Sequence, residues 1–330
     1  MSGAPVCSAR TATSPQPSVL NPGKLAARWF RRWMSLDESE ATFAARGFGA
    51  SSGKRQRRLE LIGCTFIKGY NCAIESENTD QINTELEAIH TELRGFSFEG
   101  ASMACSLMDA LQNRSSRFEQ VLLEHGERYK HLCWVGAGWA CARLWLLHGR
   151  FRRMYFPLDP LLSMLVYDGW GFHQGYFFCS RYLRSGGTAP TMLKGSMRSI
   201  FDQGFGRSLW FAGGAEPSTI KNMVSRFSLE RQADMWSGVG LACCYAGGAE
   251  RCDMESLLTV NPELLPHLRQ GVTFGAAARV HSGNITEDTA LAAKYLCSST
   301  PQQLAEVADT AQQTTTEYQE WRGRIRRLFM

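Results

Sequence analysis

Carboxylates sit beside glycines in this chain. Glu99 and Asp168 directly precede Gly100 and Gly169, while Asp202 lies two residues before Gly204 and Asp234 four before Gly238. If such positions are equivalent in a repeating helical array, they face one surface, and carboxylates held there suit acid–base work once burial pushes their pKa values apart. The same residues would serve as helix caps or as ion-pair partners of Arg207, Arg231 and Arg181. The block Asp168-Gly-Trp170-Gly-Phe-His173-Gln-Gly-Tyr176 is the most polar and aromatic in an otherwise apolar stretch. His173 and Tyr176 are three residues apart and share a helical face, with Arg181 near that line. His173 is then a general base or acid and Tyr176 a donor to a substrate oxygen, or His173 is a hydrogen-bonded core residue. Asp168, His173, Tyr176 and Asp202 are the catalytic candidates. Glu99, Trp139, Trp170, Arg181, Arg207, Asp234 and Trp236 are the residues expected against a substrate.

Other chemistries find little support. The 11 cysteines include no Cys-x-x-Cys, and several of them lie in apolar Ala/Gly-rich segments where a thiol acts as a small hydrophobe. Cys179, Cys243 and Cys244 have no adjacent Lys or His to activate them, so an inert role is expected. No His-Glu-x-x-His or Cys/His grouping has metal-ligand spacing, and no metal or cofactor is expected. The phosphate-cradling Gly-x-x-x-x-Gly-Lys-Ser/Thr is missing.

The elements that position these residues are helices. Alternating Val/Ile/Thr runs are scarce, whereas start signals for helices recur: Ser35 with Glu38 as a capping box, Asp159-Pro160, and Thr300-Pro301 completed by Gln303. A glycine-centred pattern repeats at Gly100, Gly136, Gly169, Gly204, Gly238 and Gly271, with intervals of 36, 33, 35, 34 and 33 residues. A period of 33–36 is that of stacked helix pairs. Four of the copies are Gly-x-Gly, which costs roughly 2 kcal/mol per copy in helix propensity, so the backbones must approach closely there. Shorter apolar segments fall between the glycine helices, such as 160–166, 218–227, 254–260 and 286–296. The expected fold is all-α, with helix-pair repeats forming a tetratricopeptide-like α-solenoid or an α/α toroid. Residues 1–25 read as a disordered leader, 26–95 as an N-terminal helical cap and 96–328 as the repeat body.

The chain is 44% hydrophobic and 20% charged, as in ordinary globular proteins. Its net charge of +5 is concentrated in residues 1–60, which carry +6. Within that front, residues 24–34 put Leu25, Trp29 and Trp33 on one helical face and Arg28, Arg31 and Arg32 on the other. This suits a helix capping the end of an array, or a weak contact with a membrane surface. No nucleic-acid motif accompanies the basic residues. The Ser/Ala/Thr/Pro-rich start lacks the apolar core of a signal peptide, the longest apolar stretch is broken by Arg143, and a cytoplasmic location is expected.

Several ordered blocks resemble a known family. They include Leu36 to Phe48, Phe66-Ile-Lys-Gly-Tyr-Asn71, Phe98-Glu-Gly-Ala-Ser-Met103 and His131 to Leu144. They continue with Asp168 to Phe177, Phe201-Asp-Gln-Gly-Phe-Gly-Arg-Ser-Leu-Trp210 and Trp236 to Gly248. Together they resemble the UnbL-like family, a domain of unknown function often encoded in enediyne polyketide gene clusters, over roughly residues 30–325. The resemblance implies a natural-product pathway protein of secondary metabolism. The expected function is to bind a hydrophobic polyketide-derived intermediate in a cleft of the repeats and act on it by acid–base chemistry. The alternative is a non-enzymatic adaptor holding a polyketide synthase or other pathway enzymes.

Overall fold

In a helix of 3.6 residues per turn, Gly-x-Gly leaves two bare spots about 200° apart, on opposite sides. Both are used here. The structure, a computed structural model, describes residues 34–49, 53–113 and 116–330. The expected leader and residues 24–33 of the Trp/Arg segment lie outside the described residues. Ser35–Met330 form one compact unit, to which all the helices named here belong.

No strand occurs among the described residues. Eight helices form the main row: α1 (Gly53–Glu75), α2 (Thr91–Gln112), α3 (Lys130–Arg143), α4 (Leu165–Ser185), α5 (Ser196–Ala212), α6 (Leu229–Tyr245), α7 (Leu265–His281) and α8 (Pro301–Gln313). A further helix, α9 (Tyr318–Arg327), follows. Each helix of the row packs on the next. In α3, Gly136 lies against the Glu99 carbonyl of α2, and Gly138 lies against the Val166 carbonyl of α4. In α4, Gly169 returns the contact to α3 while Gly171 reaches the Phe201 carbonyl of α5. The pairs in α5 and α6 repeat the arrangement. The series starts with Gly69 of α1 against Ser97 of α2, one helix before the expected start of the repeat body. At each crossing a Cβ would overlap a neighbouring carbonyl, so glycine's propensity cost is offset by close backbone contact.

Contacts advance together along neighbouring helices: Ser237 meets Gly271 and Cys244 meets Gly275. Adjacent helices therefore run the same way, and the chain returns between them through short elements such as Thr79–Glu87, His148–Tyr155, Pro217–Val224, Arg251–Leu257 and Glu287–Cys297. Between α4 and α5 the return is residues 186–195, which hold no helix.

The row curls back on itself. Arg279 of α7 donates to the Glu92 carbonyl of α2 at 2.7 Å, and Asn284 donates to the Thr91 carbonyl at 2.9 Å. Arg58 of α1 donates to the Ala246 carbonyl at the end of α6, at 2.6 Å. The early helices thus meet the late ones through side chains that donate to backbone carbonyls, and the row bends around an interior rather than extending as an open solenoid.

The Thr300/Gln303 capping box forms as read, and Asp159 accepts from the amides of Leu161 and Leu162 at 2.9 and 2.8 Å. The single helix expected to open at Ser35 does not form. Asp37 caps one turn at Glu38–Ala41 and Thr42 caps a second at Phe43–Arg46. Short Asp and Thr side chains compete for local amides, and here they split the segment in two.

Candidate functional site

Arg207 lies at the centre of the interior. It projects from α5 three residues after Gly204, is 9% exposed, and forms an ion pair through Nη1 with Asp168 of α4. Its Nη2 lies 3.9 Å from Glu99 Oε1 of α2, and its guanidinium stands 4.9 Å from the Phe172 ring centre. Trp139 of α3 donates from Nε1 to Glu99 Oε1 at 3.1 Å. Four successive helices thus supply one buried polar centre.

Burial raises Glu99 to a pKa of about 7, against the lowering pull of Arg207 and Trp139. Glu99 is therefore poised to exchange a proton near neutrality. Burial works against the charge on Arg207, but Asp168 and Glu99 outweigh it and raise its pKa, so it stays cationic. Asp168 is itself fixed by Gln203, which donates from Nε2 at 2.7 Å. Gln203 belongs to a string of residues one place before the repeat glycines. Ser237 Oγ lies 3.2 Å from Gln203 Oε1 and 2.8 Å from Gln270 Oε1, and Arg322 of α9 donates to Gln270 at 3.3 Å.

A cavity opens on the Glu99 side of Arg207, with about 810 Å³ not filled by atoms, its mouth included. Phe66, Trp139, Phe172, Tyr176, Phe177 and Tyr245 form aromatic walls; Glu40, Glu99, Arg143 and Arg207 are the charged residues reaching it. A second cavity, with about 640 Å³ not filled by atoms, its mouth included, lies on the Asp168 side and shares Arg207, Leu241 and Tyr245 with the first.

Of the residues singled out in the sequence, Glu99, Trp139, Tyr176 and Arg207 come together on the first cavity, and Asp168 lines the second. His173 is buried beside Trp139 and Phe177, at ring-centre distances of 5.6 and 4.8 Å, and does not line either cavity. Its Nδ1 is buried with no hydrogen-bond partner, and burial lowers its pKa to about 3, so it is neutral near pH 7. The expectation that all four glycine-adjacent carboxylates share one surface fails for two of them. Asp202 takes a two-point ion pair from Arg231, at 3.0 and 2.6 Å, and Asp234 pairs with Arg322 at 2.8 Å. Relative to the place of Glu99 and Asp168, Asp202 is displaced by one residue and Asp234 by three, about 100° and 300° of rotation, which aims these carboxylates away from Arg207. Trp170 and Trp236 are core residues outside both cavities, and Arg181 lies in a surface groove with Arg184 and Phe178.

Burial raises the Cys243 and Cys244 thiols, and Cys179 to about 11, in keeping with inert thiols. The described cysteines form no disulfide. At the surface, ligand atoms of Asp80, Glu124 and His125 come within 4.8 Å of one another. The sequence reading missed Tyr245 and Arg143 as cavity residues. The signal for Arg143 was its interruption of the longest apolar stretch.

Fold and site define an all-α array packed through glycines around a buried Arg–carboxylate centre with aromatic cavities. The chain belongs to the family described as protein of unknown function (DUF1702), whose model matches residues 26–329. No curated protein and no solved structure matches it. No described helix is long and apolar enough to cross a membrane.

Proposed function

We propose that the protein binds a hydrophobic polyketide-derived intermediate in the first cavity, as part of an enediyne-like or related natural-product pathway, and moves a proton on it. The observation that carries this reading is a carboxyl group with a pKa of about 7 facing an aromatic cavity beside a permanently charged guanidinium. The resemblance to UnbL-like proteins supplies the pathway class.

In this reading Arg207 donates to a ligand carbonyl oxygen and stabilises the negative charge that develops on it as an enolate. Glu99 takes the proton from the adjacent carbon and returns it at a second position. Asp168 holds Arg207 in place. The aromatic walls exclude water, which strengthens both electrostatic interactions. A concave cavity with converging charges supports ligand binding, whereas an adaptor needs an exposed strip.

The test is deletion of the gene in its producer, with metabolites followed by mass spectrometry and variants supplied back. Wild type restores the product, while Glu99→Gln and the cavity-filling Ala242→Phe leave one intermediate accumulating. Full rescue by both variants overturns the reading, and loss of product without any intermediate points to a scaffold.

A further inference from the structure

The second cavity adds groups from α7, α8 and α9 that the proposal for the first one does not use. Phe274 and Trp321 stand 4.5 Å apart between ring centres at an interplanar angle of 48°, and Tyr318 stands 5.7 Å from Trp321 at 89°, so one wall presents aromatic faces and edges together. His281 Nε2 lies 3.1 Å from Asp309 Oδ2 in this lining, with side chains 32% and 44% exposed, which places the pair at the solvent side. His131 stacks on His281 with ring centres 6.2 Å apart. Burial lowers the pKa of His131 to about 3, so it faces the space uncharged.

Deeper in, Arg207 and Asp168 neutralise one another. Tyr245 faces both cavities, is 4% exposed, and has a buried hydroxyl with no hydrogen-bond partner. An orphaned buried hydroxyl costs about 1–3 kcal/mol, and a ligand atom would relieve it. The charges are thus balanced inside, the walls are aromatic, and one buried hydroxyl lacks a partner. This combination selects a neutral aromatic molecule over a phosphate or a carboxylate.

We propose that the second cavity is a separate binding site for a neutral aromatic molecule bearing a phenolic or enolic hydroxyl, whose proton the His281–Asp309 pair accepts. With Nε2–H donating to Asp309, Nδ1 keeps the free lone pair. The ligand O–H bond breaks, an Nδ1–H bond forms, the electron pair stays on the ligand oxygen, and the Asp309 carboxylate stabilises the imidazolium. Arg207 and Tyr245, shared by both cavities, place this site back to back with Glu99.

The probe is 4-nitrophenol, an aromatic phenol close to an imidazolium in acidity, whose absorbance distinguishes phenol from phenolate. Calorimetric titration of the full chain at pH 6, where the free probe is mostly neutral, is expected to count two sites, with one bound molecule more ionised than the free probe. Ala278→Phe, which fills the second cavity, leaves one site and no added ionisation. Ala242→Phe leaves one site with its added ionisation intact. His281→Ala and Asp309→Asn, changes at partly exposed positions that fold without repacking, keep both sites and lose the added ionisation. Two sites in Ala278→Phe, or an unchanged ionised fraction in His281→Ala, overturn the inference. A single site lost only in Ala242→Phe also overturns it and leaves the reading of the first cavity standing, whereas a single site lost only in Ala278→Phe does the reverse.

Discussion

Gly138 and Gly169 face each other across α3 and α4. A methyl group built on Gly138 would sit 2.7 Å from the Gly169 Cα, and one built on Gly169 would sit 2.9 Å from the Gly138 Cα. Neither neighbour is a side chain able to swing aside, so any Cβ there pushes two helices apart. Gly138→Ala gains about 1 kcal/mol of helix propensity. Against that, it should lose several contacts along both helices, for a net destabilisation of about 2–4 kcal/mol in urea unfolding. Gly149 is the control: it is helical, and an added Cβ meets nothing within 4 Å. Gly149→Ala should stabilise by up to about 1 kcal/mol. Equal effects of the two substitutions would mean that the glycines are not there for close approach.

Arg207 and Asp168 form a buried ion pair, with Asp168 fully buried. Breaking such a pair leaves one charge without its partner, which costs about 3–5 kcal/mol, whereas replacing both by apolar residues is often near neutral. Asp168→Leu and Arg207→Met should each destabilise by that amount in denaturant unfolding. The double variant should cost well under the sum of the two. Additive losses would show that the two side chains act independently.

The sequence carried the periodicity because the constraint is local: each close crossing needs a glycine, and each crossing recurs once per helix pair. Glu99 and Asp168 were readable as converging carboxylates for the same reason, both standing one place before a repeat glycine. Asp202 and Asp234 were read onto the same surface because proximity in sequence hides rotation around the helix. What binds Asp202 is Arg231, 29 residues on, and spacing alone does not rank Arg231 above Arg207 as its partner. The return of α1 and α2 onto α6 and α7 was also illegible. It rests on Arg58, Arg279 and Asn284, whose targets are backbone carbonyls that leave no mark in the sequence.

Glu99 makes a pH dependence of definite sign. Its pKa rises from 4.5 to about 7 on folding, with burial as the main cause. Between those values the folded state holds a proton that the unfolded state has released, so the contribution of Glu99 to stability falls as pH rises through this window. The size is on the order of 3 kcal/mol, at about 1.4 kcal/mol per pKa unit. Glu99→Gln cannot ionise and keeps an oxygen that accepts from Trp139. The unfolding free energy of the variant, less that of wild type, should therefore increase by about that amount between pH 4.5 and pH 8. A flat difference curve would place the Glu99 pKa near its unfolded value and remove the basis for proton transfer at neutral pH.

His173 works in the opposite direction. Its pKa falls from 6.5 to about 3 on folding because burial, and then Arg143, disfavour the imidazolium. Below pH 6.5 the unfolded chain takes up a proton that folded His173 refuses, so stability drops by about 1.4 kcal/mol per pH unit on acidification. His131, lowered to about 3, and His267, lowered to about 4, again chiefly by burial, add to the same slope. His173→Phe removes one of these three contributions. The phenyl ring fills the same site beside Trp139 and Phe177 and leaves no unpartnered nitrogen there. The variant should match wild type within about 1 kcal/mol at pH 8 and exceed it by about 2 kcal/mol more at pH 5, followed by urea unfolding at each pH. If His173 were instead a working base in contact with solvent, its pKa would lie near 6.5 and the two stability curves would run parallel.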